Sequence, residues 1–271
     1  MKTKTKKGGE ITMPSAKDVT IESKFLKVMS VGESGSGKSV FAASFPTPGY
    51  IFDFGGEILS YKGKDFDYEQ FDVSPQGWSK FEKEFIAVKK AITDEEKYKT
   101  VVIDNLSAMT DLCMEKALQL DPKRSPTNGP LWNVHYGMVK NLMEGKIRQL
   151  LNLNCNLIFI AHITTKYDEN GAVIGVEPSL TGQLSVDIPS YFDEVYYHMT
   201  RKEGGQTKWY VQTVPMGRNK GRSRLSGKER LLPDLVENDY AEIIAYLSGK
   251  KTVGKTNGKT PQRPQQPQRR K

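Results

Sequence analysis

Gly32-Glu33-Ser34-Gly35-Ser36-Gly37-Lys38-Ser39 fills every fixed position of G-x-x-x-x-G-K-[ST], directly behind the apolar run Phe25 to Val31. That order reads as a P-loop at the end of a strand. The chemistry needs these residue types at these positions. Gly32 and Gly37 permit a tight turn, successive backbone N–H groups face phosphates, Lys38 reaches the β and γ phosphates, and Ser39 offers its hydroxyl to Mg²⁺. Lys38 is expected on an exposed loop rather than in the core. The following helix, Ser39 to Ser44, adds the positive end of its dipole. Val40, next in line, is counted with Gly32 to Ser39 among the contacts of a bound nucleotide, read as ATP with Mg²⁺.

Outward from this motif the chain alternates strand and helix. Tyr50 to Phe54 reads as a second strand, after Pro46-Thr47-Pro48-Gly49 has stopped the first helix. Trp78, Phe81, Phe85, Val88 and Ile92 recur at three- and four-residue spacing, which predicts an amphipathic helix over Pro75 to Ile92 whose aromatic stripe is core rather than a base-stacking platform. Thr100-Val101-Val102-Ile103-Asp104-Asn105 is an apolar strand ending in an acid, about 65 residues after the P-loop lysine. This is a Walker B pattern: in a parallel sheet ligands sit at the carboxyl ends of the strands, so Asp104 projects toward the Mg²⁺ held by Ser39. Helices are expected over Leu106 to Leu120 and Trp132 to Leu153, with a Pro/Gly/Lys/Arg-rich loop, Asp121 to Pro130, between them. Asn156 to Ala161 delivers His162 to the same edge, where a γ-phosphate would be sensed. The Asn170-Gly171 signal then predicts an exposed hairpin between Ile163 to Lys166 and Ala172 to Val176. Asp193 to Thr200 and Lys208 to Val214 read as antiparallel strands at the end of the sheet, followed by four cations between Arg218 and Arg224, normally a solvated loop.

The 271 residues, 37% of them hydrophobic, suffice for one α/β catalytic domain over residues 20–248. Cys113 and Cys155 lack C-x-x-C spacing, which leaves a metal site or a disulfide framework unsupported. Neither a membrane span nor a signal-peptide h-region is evident, so a soluble protein of a reducing cytoplasm is expected, with no membrane partner. The net charge of +8 is uneven: residues 249–271 carry eight cations and no acid, residues 1–10 carry +3, and the rest stands at −3. The Pro/Gln-rich tail 249–271 and the basic segment 1–19 are therefore read as flexible appendages, of a kind that touches nucleic acid; the alternative is a solubilising tail with no partner.

From Val31 to Arg224 the sequence resembles the RecA-like P-loop ATPase core, in particular the small phage-type recombinases and single-strand annealing ATPases. The resemblance covers roughly residues 20–245 and rests on motif order: the phosphate loop, the Walker B strand, and Phe159-Ile160-Ala161-His162-Ile163 as the strand whose last polar residue senses the γ-phosphate. It implies a mainly parallel sheet flanked by helices, with antiparallel strands toward the C-terminal end. By similarity Thr164 to Gln183 and Asp121 to Asn133 take the places of two DNA-binding loops. Arg218-Asn219-Lys220 is similar to a Lys-x-Lys pair that such filaments insert into a neighbour's ATP site, which implies a ring or filament of identical subunits. Single-stranded DNA is the implied partner, with a single-strand binding protein as a second candidate, and a phage protein would work in its host's cytoplasm.

The sequence departs from the family at the water-activating acid. Such enzymes usually end the second core strand Asp-x-Glu, whereas here the stretch is Asp53-Phe54-Gly55-Gly56-Glu57. Glu57 swinging in from the Gly-Gly turn is the favoured general base; Asp53 is the other candidate, and slow hydrolysis with nucleotide as an assembly switch is the third possibility. The rival functions are an ATP-regulated accessory or loading protein that scarcely hydrolyses ATP, and a small-molecule P-loop kinase. The kinase leaves the basic tail, the hairpin and the Arg-x-Lys element without a purpose.

Overall fold

The computed structural model describes residues 25–227 and 229–253. The basic segment 1–19, and all of the tail 249–271 beyond its first five residues, lie outside the described residues. The chain runs through β1 (Lys27–Gly32), α1 (Lys38–Ala42), β2 (Gly49–Asp53), a 3-10 turn (Ile58–Tyr61), β3 (Phe66–Gln70), α2 (Gly77–Glu95), β4 (Thr100–Asp104), α3 (Leu106–Leu120), α4 (Trp132–Leu151) and β5 (Asn156–Ala161). A hairpin of β6 (Ile163–Tyr167) and β7 (Val173–Pro178) follows, then α5 (Leu184–Asp187), β8 (Glu194–Glu203) and β9 (Gln206–Gln212). Short strands β10 (Pro215–Met216), β11 (Asn219–Lys220), β12 (Arg222–Ser223) and β13 (Leu235–Glu237) lead to α6 (Tyr240–Leu247).

The main sheet has the order β13-β9-β8-β1-β5-β4-β2-β3, with β12 beside β8. From β8 to β3 every pairing is parallel, while β9, β12 and β13 pair antiparallel. The fold is thus α/β, a mainly parallel sheet with antiparallel strands toward its C-terminal end. Parallel strands buried on both faces read as continuous apolar runs, and β4 and β5 are buried at every position. Along β4, Val101 and Ile103 face one core with α2, α3 and α4, while Val102 faces a second core with Phe41 of α1 and Ile243 of α6. Two helical layers therefore enclose the sheet.

β5 lies between β1 and β4, with Val31 level with Ala161 and Ile103 level with Phe159. Because these strands are parallel and in step, Gly32, Asp104 and His162 leave the sheet at one edge. Trp78, Phe81, Phe85, Val88 and Ile92 are all buried, so the aromatic stripe of α2 is core. β3 has no counterpart in the sequence reading: it is a five-residue, largely exposed edge strand in which Phe66 and Tyr68 alternate with Asp67 and Glu69, too short a run to stand out. The segment between α3 and α4 is braced by the buried His135, whose Nδ1 accepts from Leu131 N at 2.7 Å while Nε2 donates to Asp121 O at 2.8 Å. The loop after β11 is also tied down in part. Arg222 donates to Pro189 O and Phe192 O, and Arg224 pairs with Asp193, so two of the four cations read as solvated act as clamps. Among the described residues, no helix is long and apolar enough to cross a membrane.

Phe81 packs edge-on against Phe52, Phe54, Phe71 and Trp78, with ring centroids 5.2–5.8 Å apart. Phe81→Ala should therefore lower the unfolding free energy in urea titration by about 3–5 kcal/mol, the range for a buried phenylalanine, whereas a change below ~1 kcal/mol would remove the stripe from the core.

Candidate active site

The phosphate loop takes its shape from three glycines used in two ways. Gly35 and Gly37 have φ of +75° and +92°, where a side chain is strained. Gly32 instead permits close approach, since a Cβ there would lie 2.6 Å from Ser36 Oγ and 2.9 Å from His198 O. The helix behind the loop is shorter than expected, five residues from Lys38 to Ala42, and its dipole is correspondingly small. The loop N–H groups and Lys38, more than this short helix, are placed to meet a phosphate.

Lys38 is 5% exposed, so its expected place on an exposed loop is corrected. Its ammonium donates to Gly32 O at 3.0 Å and Glu33 O at 2.7 Å, which draws the side chain into the hollow of its own loop. Burial lowers its pKa from the ordinary lysine value, and the negative charges of Glu57, Asp104 and Glu33 oppose that shift.

Ser39 Oγ donates to Asp104 Oδ2 at 3.0 Å, and Tyr61 donates to the same oxygen at 2.9 Å. Asp104 Oδ1 is buried without a hydrogen-bond partner. Burial pushes this carboxyl up to about 6, against the pull of the Tyr61 hydrogen bond. A buried, half-satisfied carboxylate beside a hydroxyl fits Mg²⁺, whose ligands are hard oxygens supplemented by phosphate and water. When bound, the ion would neutralise charge on phosphate oxygens, with Ser39 and Asp104 as its protein ligands. Among the described residues, no cluster of three or more His, Cys, Asp or Glu offers a metal site built from protein alone.

The two candidate bases are treated differently by the fold. Asp53 Oδ1 accepts from the N–H groups of Gly55, Gly56 and Glu57 at 2.7–3.3 Å, and Oδ2 accepts from Gln70 at 2.8 Å. With both oxygens engaged and the group buried, Asp53 organises the turn and does not line the phosphate cleft. Gly56, at φ +72°, reverses the chain so that Glu57 enters that cleft together with Lys38, Ser39 and His162. Glu57 Oε1 is 3.8 Å from His162 Nε2, and Asn105 Nδ2 is 3.4 Å from the same nitrogen. Burial, with Lys38 nearby, lowers the His162 pKa and keeps the ring neutral near pH 7. Arg218 and Lys220 do not line this cleft: both are exposed, and Lys220 Nζ is 3.9 Å from Glu177 Oε1.

A family model described as an AAA domain matches residues 24–225. The chain belongs to the AAA domain family. β5 is inserted between the P-loop and Walker B strands, and membership of that family implies nucleotide binding, typically with Mg²⁺. Among solved structures the chain is similar to a KaiC-like protein from the hyperthermophilic archaeon Pyrococcus horikoshii OT3, at 16% identity and TM-score 0.41, over 69% of this chain and 77% of that one. It is also similar to the flagellar accessory protein FlaH from Methanocaldococcus jannaschii, at 11% identity and TM-score 0.36, over 78% and 83%. No curated protein matches the sequence.

Four residues at this AAA site carry no local sequence signal. Tyr61 reaches Asp104 from the turn after Glu57. Trp209 Nε1 donates to Gly35 O at 3.3 Å, and Asn238 Nδ2 donates to Gly37 O at 2.9 Å. His198, fully buried and held neutral with its pKa pushed down to about 3, donates through Nδ1 to Asn238 Oδ1, so Nε2 accepts from Ser30 Oγ. His198 on β8, Trp209 on β9 and Asn238 just past β13 come from far along the chain and fix the loop from beneath and beside.

The geometry separates two variants. Glu57→Gln should keep ATP binding and melting temperature but lose turnover by ~10²-fold or more, as expected for a general base, while Asp53→Asn should lower the melting temperature as well, because three backbone N–H groups lose an anionic acceptor. Equal melting temperatures with turnover lost only in Asp53→Asn would reverse the assignment.

Proposed function

We propose that the chain hydrolyses ATP·Mg²⁺ with Glu57 as general base, assembles head to tail, and uses the nucleotide state to control its hold on single-stranded DNA in phage recombination, annealing or replication. The observation that carries this reading is contiguity. His162 faces the phosphate cleft, and the next residue, Ile163, begins the hairpin β6–β7. Ser179 N, just past the end of β7, donates to His162 O at 2.8 Å, so both legs of the hairpin are attached at the sensing residue. Ser107 at the start of α3 donates to Ser179 O at 2.7 Å and joins the Walker B side to the same point. A shift of His162 toward or away from a γ-phosphate would therefore move the hairpin as a body. Its outer part is exposed and includes Lys166, Tyr167 and Ile174, a cation with apolar and aromatic neighbours. The basic tails add sequence-independent attraction to phosphates.

Assembly is supported by the placement of Arg218 and Lys220. They project from the hairpin β10–β11, exposed and off their own cleft, and a cation pair that does not serve its own site is suited to a neighbour's γ-phosphate. Such a donation is heterologous and builds rings or filaments.

ATP turnover should rise when single-stranded DNA is added. Lys38→Ala and the Arg218→Ala/Lys220→Ala double variant, each inactive alone, should regain turnover when mixed, because some interfaces then pair an intact site with intact fingers. Absence of recovery despite demonstrated co-assembly would assign the pair to its own subunit or to DNA, and turnover absent with and without DNA would favour the accessory role.

A further inference from the structure

The turn that carries Glu57 is closed on Asp104 at both ends. At its start Asp104 O accepts from Phe54 N and Gly55 N at 2.6 and 3.2 Å, and at its end Tyr61 Oη donates to Asp104 Oδ2 at 2.9 Å. From this second fastening we infer that Tyr61 is a positioning residue that couples Asp104 to Glu57. The inference rests on the reading of Asp104 as a Mg²⁺ ligand and of Glu57 as the general base, and it deepens that reading by naming the group through which each holds the other in place.

Little else holds the turn. Gly55, Gly56, Glu57, Leu59 and Ser60 are exposed, and of the residues between the two ends Ile58 alone is half-buried against the core. The adjacent glycines add backbone freedom. Tyr61, by contrast, is 4% exposed, its ring tilted against Phe66 with centroids 5.7 Å apart, in the same core as Val28, Phe41 and Ile158. It is the fixed point at which the turn rejoins the sheet.

Packing alone does not ask for a tyrosine here. Phenylalanine would fill the same apolar space, whereas a buried phenol has to find a hydrogen-bond partner. That partner is the Walker B carboxylate. Burial raises the phenol pKa well above its ordinary value, so the hydroxyl keeps its proton and donates. With Ser39 Oγ it places two donors on Oδ2 and leaves Oδ1 unpaired, which fixes the oxygen that is free to meet a cation. Glu57 and Asp104 are like charges bordering Lys38, and an unfastened Gly-Gly turn would relieve their repulsion by carrying Glu57 away. The Tyr61 bond opposes that movement.

Tyr61→Phe in the full chain keeps the ring and removes the hydroxyl. Titration with Mn²⁺ in the presence of ADP, followed by electron paramagnetic resonance, should show an affinity about 10–100-fold below wild type, the usual cost of losing a group that orients a metal ligand. Amide exchange across residues 57–62 should run about tenfold faster, because the turn opens locally. Turnover should fall at saturating Mg²⁺, and in a Glu57→Gln background the added Tyr61→Phe should cost turnover nothing further, since the two act as a unit. Phe66→Leu is the control: it thins the packing on the Tyr61 ring, keeps the hydroxyl, and should lower the melting temperature with Mn²⁺ affinity unchanged. Unchanged Mn²⁺ affinity or exchange in Tyr61→Phe, equal Mn²⁺ loss in Phe66→Leu, or multiplied turnover losses in the double variant would each overturn the inference. Full turnover in Glu57→Gln alone would instead bring down the base assignment, and wild type that takes up no Mn²⁺ would bring down the metal reading, the coupling falling with either.

Discussion

Asp104 has been taken out of water with one oxygen unpaired, and much of the fold serves to hold it there. Its removal from solvent disfavours the charged form, which is why its pKa stands near 6 rather than in the ordinary carboxylate range. The folded protein consequently binds more protons than the unfolded chain between about pH 4 and 6, and this group's contribution to stability declines as pH rises through that window. A cation held beside Ser39 would reverse the penalty by stabilising the charged form. The parallel register of β1, β5 and β4 sets the carboxylate beside the P-loop, and Tyr61 and Ser39 fix its orientation. The aromatic packing under α2 keeps the strands in step.

Around that group the site is a set of contacts reaching across long stretches of chain. Asn238 braces a loop residue 201 positions earlier, and Trp209 braces one 174 positions earlier. The Asp53 carboxylate plays the equivalent part for the turn that presents Glu57. Preorganised groups of this kind act in catalysis because they need no reorganisation when charge develops. One layer thus supplies the polar side chains of the cleft and another supplies rigidity.

The sequence was legible where a local pattern implies a local outcome. The P-loop, the apolar Walker B strand and the strand before His162 could be read because continuous apolar runs have few places to go other than the middle of a sheet. The α2 stripe could be read because its period matches a helix with one buried side. The choice between Asp53 and Glu57 was open, since it depends on a positive φ at Gly56 and on three backbone N–H groups converging on one oxygen. β3 and α6 were missed because a five-residue, largely exposed edge strand and an eight-residue helix each offer too short a pattern. Tyr61, His198, Trp209 and Asn238 were invisible for another reason: their neighbours at the site are distant in sequence, and nothing in their surroundings along the chain marks them.

The central claim is that Lys38, Ser39 and Asp104 together hold a magnesium–nucleotide complex. Its most direct test is the thermal midpoint of wild type and of Lys38→Ala, with ATP and Mg²⁺ and with ATP and a chelator, circular dichroism showing that both proteins are folded. At ATP concentrations 100-fold above Kd, wild type should gain about 2.7 kcal/mol of stability and a higher midpoint only when Mg²⁺ is present, and folded Lys38→Ala should gain none. Equal stabilisation of the two proteins by ATP, or stabilisation of wild type that is indifferent to Mg²⁺, would contradict the account.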